Sequence, residues 1–233
     1  MTSQPTDPRI ARGMSRQFEN RRRLFGSGAR HIGWKAGFGA PAAQQRFGLT
    51  GPLVGFLTDA TLAETGASVS VGGWTNPVAE PELAVHIGTE VPRGAGADRV
   101  REAIVAIGPA IELADIDPPP DDVEEVLAGD IFHRAVVLVD PDPALARGNI
   151  DGLIGVVTHD GTTLQPITNL EALTGRLLDV IAHIADTLAE SGEALRAGDV
   201  VITGSIIPAL PIGPGQSVEF QLGASAPVAV GLH

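Results

Sequence analysis

Glu80 and Glu82 stand two positions apart in the apolar run PVAEPELAVHI, Pro77 to Ile87. Side chains two apart on a strand share a face, so the two carboxylates point the same way. Val78, Ala79, Leu83, Ala84, Val85 and Ile87 make both faces of the run apolar, which argues for burial. Two buried anions side by side each lose hydration, so one takes up a proton or both face a cation. A divalent metal answers that need, and Glu112, inside the apolar stretch Ala106 to Ile116, offers a third hard oxygen ligand. The same spacing also fits a solvated strand face. Pro81 cannot donate to a ladder and marks an edge, a bulge or a strand start.

Other residue types around this trio carry possible chemistry. Lys35 is the one cation in HIGWKAGFG, His31 to Gly39, and reads as an anchor for an anionic substrate or as a snorkelling surface residue. His133 sits at the mouth of the strand in GDIFHRAVVLVD, Gly129 to Asp140, as an acid or base or as a hydrogen-bonded structural histidine. Gly204 and Ser205 follow a strand over Asp199 to Thr203 and can present backbone N–H groups and a hydroxyl to an anion. His159, beside a turn, is expected to be exposed, and His183 is assigned no role.

The elements that must position these residues can be read in order. Asp7 before Pro8 starts a helix in which Ile10, Met14, Phe18 and Phe25 recur until Gly26. Strands are expected over His31 to Gly39 and Gly51 to Leu57, the second ending at Asp59, with a short helix or turn over Pro41 to Phe47 between them. Asp98 is expected to cap a helix with Val100, Ala103, Ile104 and Ile107 on one face, and Asp121 a second one through Leu127. Pro118, Pro119 and Pro120 end the strand that carries Glu112. Asp160 and Gly161 are a hairpin signal between Ile154 to Thr158 and Thr162 to Leu164. Leu170, Leu173, Leu177, Ile181, Ile184 and Leu188 predict the longest helix, closed by Gly192. Ser217 to Leu222 and Val228 to Leu232 are closing strands. We read residues 1–30 as an N-terminal helical segment and 31–233 as one catalytic domain.

The 233 residues suffice for one large core, and 29 glycines with 18 prolines predict tight turns between short strands rather than a helical bundle. A formal charge of -12 argues against nucleic acid or an anionic membrane as partner, because neutralising phosphates needs clustered Lys and Arg. The basic run Arg21 to Arg23 lies in the first helix pattern and reads as a solvated face or subunit contact. Without cysteine there is no disulfide framework, thiolate metal site or Cys nucleophile. MTSQPTDPRIARG lacks the apolar core of a signal peptide and no run reaches the length of a membrane span, so a cytoplasmic location is expected.

Several separated segments, HIGWKAGFGAPAAQ, PLVGFLTDATL, PVAEPELAVHIG, GPAIELADID and GDVVITGSIIPALPIGPGQSVEF, come one after another in an order that resembles the hydratase and decarboxylase branch of the fumarylacetoacetate hydrolase superfamily. The resemblance implies an α+β fold, a mixed and strongly bent β-structure with a few flanking helices, assembled as a homo-oligomer. It implies that Glu80, Glu82 and Glu112 hold Mg2+ or Mn2+, and that Lys35 and Asp59 are active-site residues. Thr203, Gly204 and Ser205 would form the loop that closes over the substrate. His133 or Asp59 would manage the protons, on position alone.

The activity implied by the resemblance is that of a metal-dependent hydratase-like lyase acting on a small 2-oxo acid, in aromatic catabolism, through a metal-bound enolate. A decarboxylase, an acylpyruvate-type C–C hydrolase, and a non-catalytic or partner-dependent subunit that works with an enzyme of the same pathway remain alternatives. The sequence departs from the branch where an Asp-Asn pair and a serine are usual, reading LAGDIFHRA, Leu127 to Ala135. It departs again where Ile167, Thr168 and Asn169 replace a Gly-His-Pro. The portion before Lys35 is shorter than is typical, so part of a lid would be missing or supplied by another subunit.

Overall fold

In the computed structural model, residues 7–117 and 121–233 are described, and the three prolines expected to end the Glu112 strand lie outside them. The first helix, α1 (Pro8–Gly26), begins as its sequence requires: Pro8 fills the first turn and the Asp7 carboxylate accepts from the Arg9 N–H at 2.9 Å. The chain continues through β1 (His31–Gly37), α2 (Pro41–Phe47), β2 (Leu53–Thr58), β3 (Leu62–Glu64), β4 (Ser68–Val69) and β5 (Pro77–Ile87). Then come α3 (Ala97–Ala103), β6 (Ile104–Asp115), α4 (Val123–Ala128), β7 (His133–Leu138), β8 (Gly155–His159) and β9 (Thr162–Thr163). The last elements are α5 (Leu177–Glu190), β10 (Val200–Ser205), β11 (Leu210–Pro211), β12 (Ser217–Leu222) and β13 (Val228–Leu232). The expected α+β class is what these elements form.

One sheet runs β2-β1-β10-β5-β6-β7-β3, with β11 extending along β5; a second runs β4-β13-β12-β8-β9. The central pair is β5 with β6, antiparallel from Pro77 opposite Asp115 to Ile87 opposite Ile104. Its residues are buried almost without a break, as the apolar run predicts. In a flat sheet β1 and β6 would lie about 14 Å apart, three strand spacings. The Lys35 ammonium of β1 nevertheless bonds Glu112 of β6, so the sheet curls until its two halves face each other.

Pro81 lies within β5, where its missing N–H falls at an irregularity in β10 between Ile202 and Ser205, so the bulge reading holds. Helix α1 packs on α4 because Gly13 is bare: a Cβ there would lie 2.7 Å from Leu127 Cβ. Buried Gln17 fixes the contact by donating to the Val54 and Leu127 carbonyls. The hairpin at Asp160 and Gly161 forms with both residues at positive φ, as its residue types demand. Half-buried His159 lies at its foot, less exposed than expected.

Three helix expectations need correction. Helix α5 starts at Leu177 rather than near Leu170, because Gly175 turns left-handed at φ 83 and the Glu171 carboxylate accepts the Leu177 N–H at 2.6 Å. Asp98 lies inside α3, capped by Gly96, and Ile104 and Ile107 belong to β6. Asp122 rather than Asp121 caps α4. Among the described residues no helix is long and apolar enough to cross a membrane.

Candidate active site

Glu80 and Glu112 are direct cross-strand partners on β5 and β6, and Glu82 lies two residues further along the same face. The β ladder therefore brings the trio together: each offers an oxygen, and these oxygens lie within 4.8 Å of one another. Glu82 and Glu112 are 1% exposed, while Glu80 is half-buried at the edge of a pocket. Each carboxylate is held differently. The irregularity opposite Pro81 frees the Gly204 N–H from the ladder, and it donates to Glu82 Oε2 at 2.6 Å. Glu82 Oε1 is buried with no hydrogen-bond partner. Glu112 Oε1 accepts from both Lys35 Nζ and His133 Nδ1, the latter at 2.7 Å, leaving its second oxygen to offer.

The electrostatics reflect that crowding. Burial, then the charge of Glu112, pushes Glu80 up to about 7. Burial with Glu112 and Glu80 raises Glu82 well above the carboxylate range. Burial would raise Glu112 too, but Lys35 and His133 outweigh it and hold it low. Burial alone would lower Lys35; Glu112, Asp130 and Glu80 reverse that and keep it a cation. Three carboxylates face one ammonium, an excess of negative charge that a divalent ion would offset. An orphaned buried oxygen on Glu82, two carboxylates driven toward protonation and an all-oxygen donor set fit a hard divalent cation.

Behind the trio the chain makes a left-handed turn. Asp130, Ile131 and Phe132 carry φ of 55, 53 and 64. For residues other than glycine this costs roughly 1–2 kcal/mol each. The turn is tied down: Ile131 N–H donates to the Val126 carbonyl at 2.8 Å, Phe56 N–H to Asp130 Oδ1 at 2.9 Å, and Lys35 Nζ to the Ile131 carbonyl at 3.2 Å. Asp130 is raised to about 6 by burial despite His133 and Lys35, and its charge in turn helps keep Lys35 a cation. Gly55 leaves room for both: a Cβ there would lie 2.6 Å from Asp130 Oδ1 and 2.7 Å from Lys35 Cγ.

A cavity of about 290 Å³ opens in front of the trio, lined at its polar end by Lys35, Glu80, Glu82, Glu112, Gly204 and Ser205. A family model described as fumarylacetoacetate (FAA) hydrolase C-terminal matches residues 33–229. The chain belongs to the fumarylacetoacetate hydrolase family. A solved structure of 4-oxalocrotonate decarboxylase from Pseudomonas putida G7, complexed with magnesium and adipate, is similar with a TM-score of 0.88 at 25% identity, covering 96% of this chain and 86% of that one. The 4-oxalocrotonate decarboxylase of Pseudomonas sp is 27% identical over 200 residues, 84% of this chain and 76% of the relative. The 2-hydroxyhexa-2,4-dienoate hydratase of Comamonas testosteroni is 29% identical over 204 residues, with the same shares covered.

In this fumarylacetoacetate hydrolase fold the residues singled out by sequence are not all at one place. Glu80, Glu82, Glu112, Lys35, Gly204 and Ser205 line the cavity, and the Ser205 hydroxyl is buried there without a partner. Asp59 does not join them: the Arg30 backbone N–H and guanidinium both donate to it at 2.7 Å and hold its pKa low. Thr203 is a buried residue of β10, not part of a closing loop; its hydroxyl donates to the Leu83 carbonyl at 3.4 Å. His133 stands behind Glu112 rather than in the cavity. A carboxylate only accepts, so its Nδ1 carries the proton toward Glu112, and its Nε2 meets Thr61 Oγ1 at 2.9 Å. Asp130 was visible only as a departure from the family pattern, and Phe38, Phe132, Leu173 and Ile207 carried no signal as pocket residues.

Proposed function

We propose that this chain is a divalent-metal-dependent lyase acting on a small 2-oxo acid or its enol, a hydratase in first reading, with Mg2+ or Mn2+ held by Glu80, Glu82 and Glu112. The observation that carries this is the buried carboxylate trio with the unpartnered Glu82 Oε1 at the head of a cavity sized for a small acid. The named activities and the magnesium of its relatives support the same class. When bound, the ion supplies a Lewis acid for the 2-oxo group.

The chain's own side chains then have distinct tasks. Lys35, kept cationic and lining the cavity, places a positive charge where oxyanion character grows at C2, and it is already oriented by Glu112 and the Ile131 carbonyl. Ser205 Oγ is free to donate to a substrate carboxylate. His133 is a positioning residue acting through Glu112, and the charge of Asp130 helps keep Lys35 cationic. Asp59, engaged by Arg30, is left out of the proton traffic. A decarboxylase is the second reading, favoured by the 0.88 structural match. We carry the assembly as a homo-oligomer in the cytoplasm, checked by light scattering and by fractionation.

The test is a panel of 2-oxo acids and dienols incubated with metal-stripped and Mg2+-loaded protein, products being identified by mass. Gain of water marks a hydratase and release of CO2 a decarboxylase. A panel on which loaded and stripped protein are equally inert, while Mg2+ binds, would leave the partner-dependent subunit as the reading.

A further inference from the structure

The cavity changes character along its length. Along the end of β6 and the residue just beyond it, the alternate residues Glu112, Ala114 and Ile116 line it in turn, so within about 13 Å, four residues of extended chain, the wall passes from carboxylate to aliphatic. Ile131, Leu173 and Ile207 continue the apolar surface. Two aromatic rings complete it: Phe38 and Phe132, with centroids 6.5 Å apart. Both sit on left-handed backbone, φ 58 and 64, although neither is glycine. Left-handed geometry costs each roughly 1–2 kcal/mol, so these rings are held at the pocket by the surrounding structure against local preference. Phe38 is braced from behind by Phe47, whose centroid is 5.4 Å away.

No cation serves this end. Lys35 is the only basic residue lining the cavity among the described residues, and its ammonium is taken by Glu112 and the Ile131 carbonyl. Arg46, near Phe38 through Phe47, lies over the Phe47 ring and pairs with Asp121 at 3.4 Å; Arg134 points to Asp115 at 3.8 Å. Neither lines the cavity. A substrate with a second carboxylate would have to bury that charge against phenylalanine and isoleucine with no counter-ion. Resemblance alone does not decide the point, because the named relatives include one acting on a dicarboxylate and one acting on a monocarboxylate.

We propose that this site selects 2-oxo acids, or their enols, whose far end is uncharged and apolar, that it discriminates against 2-oxo dicarboxylates, and that Phe38 and Phe132 are the specificity-determining residues. The inference rests on the metal-centred reading above and narrows it toward hydration, since decarboxylation at the far end requires the charge that this surface disfavours.

The test compares 2-oxohexanoate with 2-oxohexanedioate, which differ only in a methyl against a carboxylate at the far end. Binding of each to the Mg2+-loaded protein is measured by calorimetry, with oxalate, which engages only the ion, as control. The monoacid is expected to bind at least about tenfold tighter than the diacid. In Phe38→Lys the gap should shrink to about threefold or less, with oxalate affinity unchanged. Equal or tighter diacid binding by the parent protein overturns the proposal while leaving the metal-centred reading intact. An undiminished gap in a Phe38→Lys protein that still binds oxalate removes Phe38 from the assignment. Failure of all three acids to bind in a metal-dependent way overturns the metal-centred reading and this inference with it.

Discussion

Metal binding to this site should release protons, and the amount can be worked from Glu80. Its pKa of about 7 in the metal-free protein means that a cation arriving at neutral pH competes with a proton for that carboxylate. One unit below its pKa about one-eleventh of Glu80 is ionised and one unit above about ten-elevenths, so Mg2+ or Mn2+ affinity should rise about tenfold from roughly pH 6 to 8. Glu82 is raised as well, and any proton it still holds makes the slope steeper, toward about a hundredfold over the same range. Calorimetry in two buffers of different ionisation enthalpy reads the protons released directly. Stability should move the opposite way in the metal-free protein. A carboxylate whose folded pKa is raised holds its proton more tightly when folded, so its contribution is full below about 4.5 and lost as pH rises through about 7. The melting temperature gained on adding Mg2+ should therefore be larger near pH 8 than near pH 6. An affinity that is flat across this range, with no proton release, would refute the reasoning and imply that the trio does not converge on the ion.

Three further outcomes are expected. Lys35→Met leaves buried Glu112 without its cation, which should cost about 3–5 kcal/mol and lower the melting point by roughly 10 °C, with part of the loss recovered on adding divalent ion; thermal scans with and without Mg2+ check this. His133→Phe removes the hydrogen bond that orients Glu112, and metal affinity should fall about 10-fold to 100-fold; unchanged affinity would separate His133 from the site. Gly55→Ala drives a methyl against Asp130 Oδ1 and Lys35 Cγ, so turnover should drop at least about tenfold while metal affinity holds, and a fully active variant would show that Lys35 tolerates displacement.

The trio was legible because its signal is periodic: two residues of spacing on an apolar strand, then a third carboxylate in another apolar strand, set the face without knowledge of the fold. Helix α1 was legible for a similar reason, its Asp-Pro entry being local chemistry. The features that the sequence could not show are non-local or unfavoured. Leu173 continues the spacing of α5, yet Gly175 and the Glu171 carboxylate cut the helix at Leu177 and send Leu173 to the pocket. Nothing in GDIFH announces three consecutive left-handed residues, since none is glycine and the geometry is imposed by Lys35, Phe56 and Val126. Asp59 was misplaced because it pairs with Arg30 at 2.7 Å instead of joining the cavity that the trio heads.

The two halves of the pocket are built from different materials. Glu80 and Glu112 are locked as ladder partners in the centre of a curled sheet, whereas Phe38, Phe132, Leu173 and Ile207 hang from turns outside the named strands and helices. Exchange of those turns can retarget recognition without disturbing the reactive centre, so drift among sister enzymes should accumulate at the rim and spare the ladder.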